Sequence, residues 1–434
     1  MSNTKTNLLK IFNKRLSKDN LLLDSLWSLL GSSFSRFFGL ILGVFLAKFL
    51  GVDVFGQYGF LKSTAISLGI FSSFGIGYTS TKYIANHINN TDFNLSKLYT
   101  KLIKLTFFSG LFISSFIFIL SEEIAKYIFE LPEFSSEIKI IAIFVFFNSL
   151  VTTQVGTLAG LKEFKKTAKT NSIVSLISLL LTIFLTYYFL LIGALIALTI
   201  TQIIFYFSYY KLIHSNFFIK KSNNKLFNIS YQEVIKFSFP IALQEIIYSF
   251  FTWFNFVVLL KFSNYIEIGI FSAGNHWKAM ILFIPGIFKS ILLSYLSSSE
   301  HNIYEFKNLF KKVLLLNLIV SIFPALIIII FSQFIQTYYG SSYDGLSTVL
   351  SFLVLGTITI SISNVYVQAY LSKGENWLMF YFKCIHHIGT LLTFYLLATN
   401  NIFDPVMCLV LSILLWSLIS LLIMAYTYHY KIIR

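Results

Sequence analysis

The chain of 434 residues is 56% hydrophobic and only 12% charged, with a mean hydropathy of +0.76. Soluble domains carry about 25% charged residues, so this composition excludes an ordinary soluble fold and predicts a protein embedded in lipid. The apolar runs are continuous rather than alternating, which excludes a transmembrane β-barrel. The two cysteines, Cys384 and Cys408, fall within apolar runs, and neither a disulfide framework nor a metal site is expected.

Apolar runs of about 20 residues or more recur along almost the whole chain, and each is long enough to cross a bilayer as a helix. The first run follows a polar and basic stretch, and it is too long for the core of a cleaved signal peptide. We therefore predict an all-α polytopic membrane protein that keeps its first helix. Its twelve transmembrane helices are predicted near residues 21–50, 55–84, 97–121, 138–161, 168–189, 192–213, 232–262, 266–298, 306–331, 345–372, 376–397 and 404–428.

Lysine and arginine residues are concentrated in the N-terminal segment and in every second loop. The loops between them are poor in cations, and the one around 121–139 is acidic. Because cytoplasmic loops carry the excess of lysine and arginine, this pattern predicts that both termini are cytoplasmic. The formal net charge of +15 is then explained by the lysine and arginine residues of the cytoplasmic loops, and no nucleic-acid partner is expected.

The two halves of the chain contain a weak internal repeat. The spacing from Lys48 to Gly56, in LAKFLGVDVFGQY, recurs from Lys261 to Gly269, in LLKFSNYIEIGIF. Six spans in each half insert with the same orientation, so the repeat is parallel, about an axis along the membrane normal.

This repeat predicts the domain organisation. We expect an N-terminal six-helix bundle at residues 1–213, a cytoplasmic linker at 214–231 and a C-terminal six-helix bundle at 232–434. Transporters with such parallel repeats move two bundles about a central site, so a central cleft is expected between them.

Arg36 lies near the midpoint of the first predicted helix, about 14 residues or 20 Å from either end, which is beyond easy snorkelling. Ser32, Gly39 and Gly43 share its helix face, so this small and polar face is expected to turn away from lipid. A charge at the bilayer centre costs about 2.5–3.5 kcal/mol and therefore usually faces a cavity or a partner.

Other intramembrane charges fall at corresponding heights in the two halves. Under the repeat offset, Lys62 maps onto Asn275, which is close to Lys278. Lys289 shares a helix face with Lys278, because the two residues are eleven positions apart, which is about three turns. Glu245 lies one turn from Ser249, the position equivalent to Arg36.

These residues predict a cationic cavity between the two bundles. The predicted substrate-binding residues are Arg36, Lys62, Lys278, Lys289 and Asn275, and the principal buried anion is Glu245. Three alternatives stay open. In the first, Arg36 and Glu245 form an ion pair that is purely structural. In the second, Lys62 and Lys289 snorkel to the membrane surfaces instead of lining a cavity. In the third, the histidines at 276, 386 and 387 serve packing alone and do not titrate.

A surplus of fixed cations favours an anionic substrate, and the planar guanidinium of arginine matches phosphate oxygens. The sequence has no glycine-rich phosphate loop with its lysine, no metal-ligand spacing and no Ser/His/Asp grouping. We therefore expect neither an enzyme nor a bound cofactor.

The opening run FLAKFLGVDVFGQYGFLKSTAISLGIFSSFGIGYTSTKYIA resembles the start of Wzx-type polysaccharide flippases. Their pattern has an Ala-x-x-Leu-Gly that ends the first helix, then Gly-x-Tyr, then a small-residue helix that ends in a glycine-rich segment. The matching residues are Ala47, Leu50, Gly51, Gly56, Tyr58, Gly75 and Gly77. The C-terminal half matches this family by architecture alone.

The resemblance implies the MATE-like fold of the multidrug/oligosaccharidyl-lipid/polysaccharide exporter superfamily. It also implies a multi-pass protein of the bacterial cytoplasmic membrane that flips an undecaprenyl-diphosphate-linked oligosaccharide, such as an O-antigen or capsule repeat unit, by alternating access. The implied partners are this lipid-linked oligosaccharide, the bilayer, and the polymerase and chain-length machinery of polysaccharide synthesis. In this scheme Arg36, Lys62 and Lys278 hold the diphosphate, and Glu245 neutralises Arg36 in the empty site.

Other functions weighed against this one are less well supported by the residues. An ion-coupled multidrug or small-molecule exporter of the same superfamily would need a dominant membrane carboxylate, and Glu245 by itself is weak support for one. A membrane glycan polymerase or ligase would be expected to carry a large outer loop with arginine and histidine, and the outer loops are short and poor in both. A purely scaffolding protein would not need four intramembrane cations.

Overall fold

The computed structural model describes residues 2–87, 94–219, 231–298, 303–373 and 375–430. Regular structure within these ranges is helical, without strands. The thirteen α-helices of the described ranges are α1 (Ser2–Ser73), α2 (Ile76–His87), α3 (Leu95–Ile119), α4 (Ser121–Tyr127), α5 (Ser135–Gly160), α6 (Phe164–Ile219), α7 (Tyr231–Phe262), α8 (Tyr265–Ser298), α9 (Ile303–Ile330), α10 (Ser332–Tyr339), α11 (Leu346–Ser372), α12 (Asn376–Thr399) and α13 (Pro405–Tyr428).

The predicted all-helical fold with twelve spans is confirmed. Eight stretches of the described residues are long and apolar enough to cross a membrane. Two of them, Ser35–Ser73 with 39 residues and Phe164–Ser215 with 52 residues, exceed one span, and each contains a break. The two broken stretches provide two spans each and the other six provide one each, and the long helices α8 and α12 bring the number to twelve. Helices α4 and α10 are short connecting helices with 7 and 8 residues.

The breaks in the helices differ in detail from the predicted boundaries. The first two spans are separated by Gly51 alone, with φ 75° and ψ 167°, a conformation that favours glycine. The break at Leu190 lies within the predicted gap between the fifth and sixth spans. The predicted second helix at 55–84 is interrupted at Phe74 and Gly75, which have φ values of 48° and 67°. A Cβ at Gly75 would lie 3.0 Å from the carbonyl oxygen of Ser238, so the interruption brings α2 against α7.

The first half (α1–α6) contacts the second half (α7–α13) mainly through α1 on α8, α1 on α7 and α2 on α7. The Thr79 and Ser238 hydroxyls, on α2 and α7, are 2.5 Å apart, and the Trp253 indole donates to the Thr64 hydroxyl at 2.9 Å. Most of the predicted linker, at 220–230, lies outside the described residues.

The lysine–glycine repeat corresponds to a reciprocal contact between the two halves. A Cβ on Gly56 would overlap the carbonyl oxygen of Tyr265, four residues before Gly269. A Cβ on Gly269 would overlap the carbonyl oxygen of Val52, four residues before Gly56. Each glycine thus accommodates the backbone of the other half at the same register, as expected for two bundles related by a two-fold axis along the membrane normal.

One end of the bundle, named the Gly51 side, carries the Gly51 break, α4 and α10. Two tyrosines join the halves there. Tyr265 donates its hydroxyl to the Phe129 carbonyl, and Tyr343 donates to the Ala47 carbonyl at 2.8 Å. Burial raises the pKa of Tyr343, which lies between helices α10 and α11, so this hydroxyl keeps its proton and remains a donor.

The largest group of buried apolar side chains extends over both halves at this end, and it includes Leu46, Phe55, Phe60, Phe129, Ile268, Tyr343 and Leu350. Lys261 and Glu130 form an exposed ion pair on the same side of the bundle. The cleft between the halves is therefore closed on the Gly51 side. The opposite end, with His87 and Tyr231, is named the His87 side.

Candidate functional site

Arg36 of α1 faces α8 across the contact between the two halves. Its guanidinium lies over the ring of Phe283, with 5.6 Å between Cζ and the ring centroid, and its side chain is exposed. Two turns further along α1, a Cβ on Gly43 would lie 2.6 Å from Nδ1 of His276. Arg36 therefore lies where α1 meets α8, on the His87 side of their tight packing.

Lys62, on the second segment of α1, projects into the same region. Its Nζ atom is 5.6 Å from the centroid of the Tyr58 ring. The Lys62 ammonium is close enough to interact electrostatically with the Arg36 guanidinium and with the His276 imidazole. The structure thus places Arg36 and Lys62 within electrostatic range of each other, with His276 in range of Lys62.

These two cations lack a carboxylate partner among the described side chains. Lys166–Glu163 and Lys261–Glu130 are ion pairs within 4.0 Å between described side chains, and neither includes Arg36 or Lys62. Aromatic rings compensate a cation by about 0.5–2 kcal/mol, which is less than the cost of about 2.5–3.5 kcal/mol for a charge in the membrane interior. The two cations also repel each other, so their site suits a ligand with more than one negative charge.

Lys278 belongs to a second group of residues. It lies two residues beyond His276, about 200° further round α8, and its ammonium interacts electrostatically with His386 and His387 on α12. The predicted cationic residues therefore form two groups, one between α1 and α8 and one between α8 and α12.

Aromatic residues of α7 complete the second group. The His387 ring stacks on Phe251 with centroids 5.0 Å apart and an interplanar angle of 1°, and it meets Tyr248 at 5.9 Å. Lys383 places its Nζ atom 5.7 Å from the centroid of the same Tyr248 ring. Sequence reasoning missed Lys383 and Tyr248. Lys383 is a lysine within a predicted span, so the criterion that selected Lys278 would have found it.

Glu245 of α7 contacts tyrosines rather than Arg36. Its carboxylate lies close enough to interact electrostatically with the hydroxyls of Tyr78 on α2 and Tyr248 on α7. No ion pair joins Arg36 to Glu245 within 4.0 Å in the described part of the chain. Any neutralisation of Arg36 by Glu245 is thus not a direct ion pair in this conformation.

The remaining predicted site residues are placed as follows. Asn275 is half-buried on α8, three residues before Lys278. The side chain of Lys289 lies outside the described ones. No group of three or more histidine, cysteine, aspartate or glutamate residues that could hold a metal ion occurs in the described part of the protein.

A milder polar stripe on α6 serves contacts between helices. Asn171 accepts a hydrogen bond from the Tyr209 hydroxyl, and Ser175 is hydrogen-bonded to Ser35 of α1. The Ser178 hydroxyl accepts a hydrogen bond from Thr201 at 2.9 Å. These hydroxyl and amide groups thus form hydrogen bonds between helices within the first half.

Solved structures with the same fold are all-helical membrane transporters. The chain aligns with an inward-facing multidrug-resistance MATE transporter of the MOP superfamily at a TM-score of 0.75 and 13% identity, over 92% of this chain and 94% of that one. It aligns with the lipid II flippase MurJ in an inward closed conformation at a TM-score of 0.74 and 18% identity, over 92% and 87%. A MATE transporter in complex with MaD3S aligns at 0.69 and 13% identity, over 94% and 95%. These likenesses define the fold class, a multi-pass membrane protein of the MATE and MurJ type.

The sequence itself identifies the family. The family model described as polysaccharide biosynthesis protein matches residues 21–297, more than half of the chain. The chain therefore belongs to the polysaccharide biosynthesis protein family, in agreement with the resemblance at its N-terminus. A search of curated proteins finds no match.

Proposed function

We propose that the protein moves a lipid-diphosphate-linked oligosaccharide, the repeat unit of a surface polysaccharide, from the cytoplasmic to the outer leaflet of a bacterial cytoplasmic membrane. The observation that carries the proposal is the pair of Arg36 and Lys62, two intramembrane cations within electrostatic range of each other and with no carboxylate within 4.0 Å among the described side chains. A diphosphate supplies the missing negative charges. Membership of the polysaccharide biosynthesis family supports a glycan as the group carried by the lipid.

The proposed mechanism is alternating access around the cleft between the two halves. The distribution of lysine and arginine predicts that the Gly51 side faces the outside. In the conformation with the Gly51 side closed, the diphosphate binds Arg36 and Lys62, the sugars occupy the cleft towards Tyr248 and His387, and the lipid chain stays in the bilayer. Opening of the Gly51 side then requires the tyrosine hydrogen bonds between the halves to break. No covalent step is needed, and no catalytic residue or cofactor is assigned.

An ion-coupled small-molecule exporter is the second candidate function. It is favoured by the placement of Glu245, a half-buried carboxylate of α7 in contact with Tyr78 of the other half. A carboxylate that binds and releases a cation between two halves could couple an ion gradient to their movement. The absence of a direct ion pair with Arg36 in the described part of the chain leaves this carboxylate open to a cation.

Complementation in the host separates the two functions. The gene would be deleted and replaced by wild type, Arg36→Ala, Arg36→Lys, Lys278→Ala or Lys261→Ala, with membrane levels of each variant measured. We expect Arg36→Ala to lose surface polysaccharide and to accumulate lipid-linked repeat units on the inner leaflet. Lys261→Ala serves as a control because its lysine is exposed and lies on the Gly51 side, away from the cleft. Normal polysaccharide in the deletion strain would contradict the proposal and favour the exporter.

A further inference from the structure

A large apolar groove lies outside the cleft, near the Gly51 side of the bundle. It has a volume of about 710 Å³, which is within the range of about 300–1,000 Å³ that is typical of ligand pockets. One wall is formed by α1, another by Trp277 of α8, and a third by α10. The lining residues are Leu40, Ile41, Val44, Phe45, Lys48, Phe49, Trp277, Phe334, Ile335, Tyr338 and Tyr339.

The helix α10 places this groove at a membrane surface. Phe334 is 68% exposed and Tyr338 53% exposed, whereas Ile335 and Tyr339 are buried. Aromatic side chains on a short amphipathic helix are typical of the boundary between lipid chains and headgroups. The hydroxyl of Tyr339 accepts a hydrogen bond from the Trp277 indole at 3.2 Å, which anchors α10 to α8.

Lys48 is the one charged residue that lines the groove. Its Nζ atom lies 4.1 Å from the centroid of the Tyr338 ring, and it has no carboxylate within 4.0 Å among the described residues. The equivalent lysine of the repeat, Lys261, is ion-paired with Glu130. The two halves therefore differ at this position, and the cation that is left without an anion is the one beside the apolar groove.

Arg36 lies on α1 four residues before Leu40, which lines the groove. Leu40 follows Arg36 by four residues, Val44 follows Leu40 by four, and Lys48 follows Val44 by four, so these side chains form a shallow spiral along α1. Arg36 and Lys48 are separated by about 18 Å along the helix axis, or roughly half the thickness of the hydrocarbon core. Lys48 follows Arg36 by twelve residues, which turn by about 1,200° round the helix, so the two side chains leave α1 about 120° apart.

We propose that this groove is the outer-leaflet binding site for the lipid-linked substrate after it has been flipped. The lipid chain lies between α1 and α10, and the phosphate contacts Lys48. The argument rests on the proposed function, because it takes the same isoprenoid diphosphate as its ligand. The apolar walls match the chain, and the Lys48 ammonium matches the phosphate.

Photo-crosslinking in proteoliposomes tests the site. The full-length protein would carry benzoylphenylalanine at Ile41, in the groove, or at Phe283, beside Arg36. The vesicles would contain phosphatidylglycerol with a small fraction of undecaprenyl diphosphate, and the captured lipid would be identified by mass spectrometry. We expect both positions to capture undecaprenyl diphosphate far above its share of the lipid.

Variants then test Lys48 and the groove separately from the cleft. Lys48→Gln should reduce capture at Ile41 about tenfold, the effect of one charge-assisted hydrogen bond, and leave capture at Phe283 unchanged. Val44→Trp, which fills the groove, should do the same. Lys261→Gln and Leu180→Trp are the matched controls at the repeat-equivalent lysine and at an exposed position of α6, and neither should change capture.

The possible failures are distinct. Capture of undecaprenyl diphosphate at Phe283 together with phosphatidylglycerol at Ile41 would overturn the groove proposal and leave the proposed function standing. The same holds if capture at Ile41 is insensitive to both Lys48→Gln and Val44→Trp. Capture of undecaprenyl diphosphate at neither position would overturn both.

Discussion

Replacing Gly56 by alanine is expected to separate the two halves at one of their tightest contacts. A Cβ at Gly56 would lie 2.8 Å from the nitrogen of Gly269 and closer still to the carbonyl oxygen of Tyr265, whereas Cβ atoms essentially never approach other atoms within 3.0 Å. Both obstacles are backbone atoms, so α1 and α8 must move apart. Over-packing of a tight interior costs typically about 1–3 kcal/mol, and a backbone obstacle puts Gly56→Ala at the upper end of that range.

Gly39 of the same helix is the matched control. No atom lies within 4 Å of the position that its Cβ would take. Alanine is favoured over glycine by about 1 kcal/mol of helix propensity at either position. The difference in the free energy of unfolding between Gly56→Ala and Gly39→Ala therefore reports the cost of over-packing alone. We expect this difference to be about 3 kcal/mol. Because the contact is reciprocal, Gly269→Ala should behave like Gly56→Ala.

The assay is thermal unfolding of the purified full-length protein in a single detergent. Wild type and the three alanine variants would be compared for their unfolding midpoints. One kcal/mol corresponds to a few degrees in a chain of this kind, so Gly56→Ala and Gly269→Ala should both unfold clearly below Gly39→Ala. Equal midpoints for Gly56→Ala and Gly39→Ala would refute the close packing of α1 on α8.

Further predictions concern the cleft and its closure. Arg36→Lys should retain part of the flipping rate that Arg36→Ala loses, because lysine keeps the charge without the planar fork; initial rates at equal protein amounts measure this. Glu245→Gln should leave flipping unchanged, since the Glu245 carboxylate forms no ion pair with Arg36 in the described part of the chain, whereas in an ion-coupled exporter it should abolish the response of transport to an imposed ion gradient. Tyr265→Phe and Tyr343→Phe should each weaken closure of the Gly51 side by about 1 kcal/mol, detected as faster hydrogen exchange there, and unchanged exchange would contradict the role given to these hydroxyls. Lys261→Gln should have a smaller effect on the same exchange, because exposed ion pairs contribute about 0–1 kcal/mol.

The sequence predicted the architecture well because membrane spans depend on hydropathy and length, which are local properties. The repeat from Lys48–Gly56 to Lys261–Gly269 also predicted a real relation, since its glycines form the reciprocal contact between the halves. The break at Phe74 and Gly75 could not be predicted in the same way. It depends on the close approach of α7 to Gly75, and a tertiary contact of this kind leaves no periodic signal.

For the candidate site, the sequence identified which charges lie in the membrane but not how they group. Arg36 and Lys62 lie on the two segments of α1 that the break at Gly51 separates, and their charges are within electrostatic range of each other. Lys278 is within electrostatic range of the α12 histidines because its position on α8 differs by about 200° from that of His276. The pattern within α8 did not show which neighbouring helix each face meets. The contact of Glu245 with Tyr78 also depends on how the two halves dock.

The most direct test of the central claim is translocation by the purified protein. Liposomes with and without the protein would contain a trace of fluorescent, undecaprenyl-diphosphate-linked disaccharide, and a membrane-impermeant reductant would report the labelled fraction in the outer leaflet over time. We predict translocation that depends on wild-type protein, is lost in the Arg36→Ala, Lys62→Ala double variant and is retained in Lys261→Ala. Wild-type vesicles that translocate no faster than empty ones, or a double variant that matches the wild type, would contradict the account.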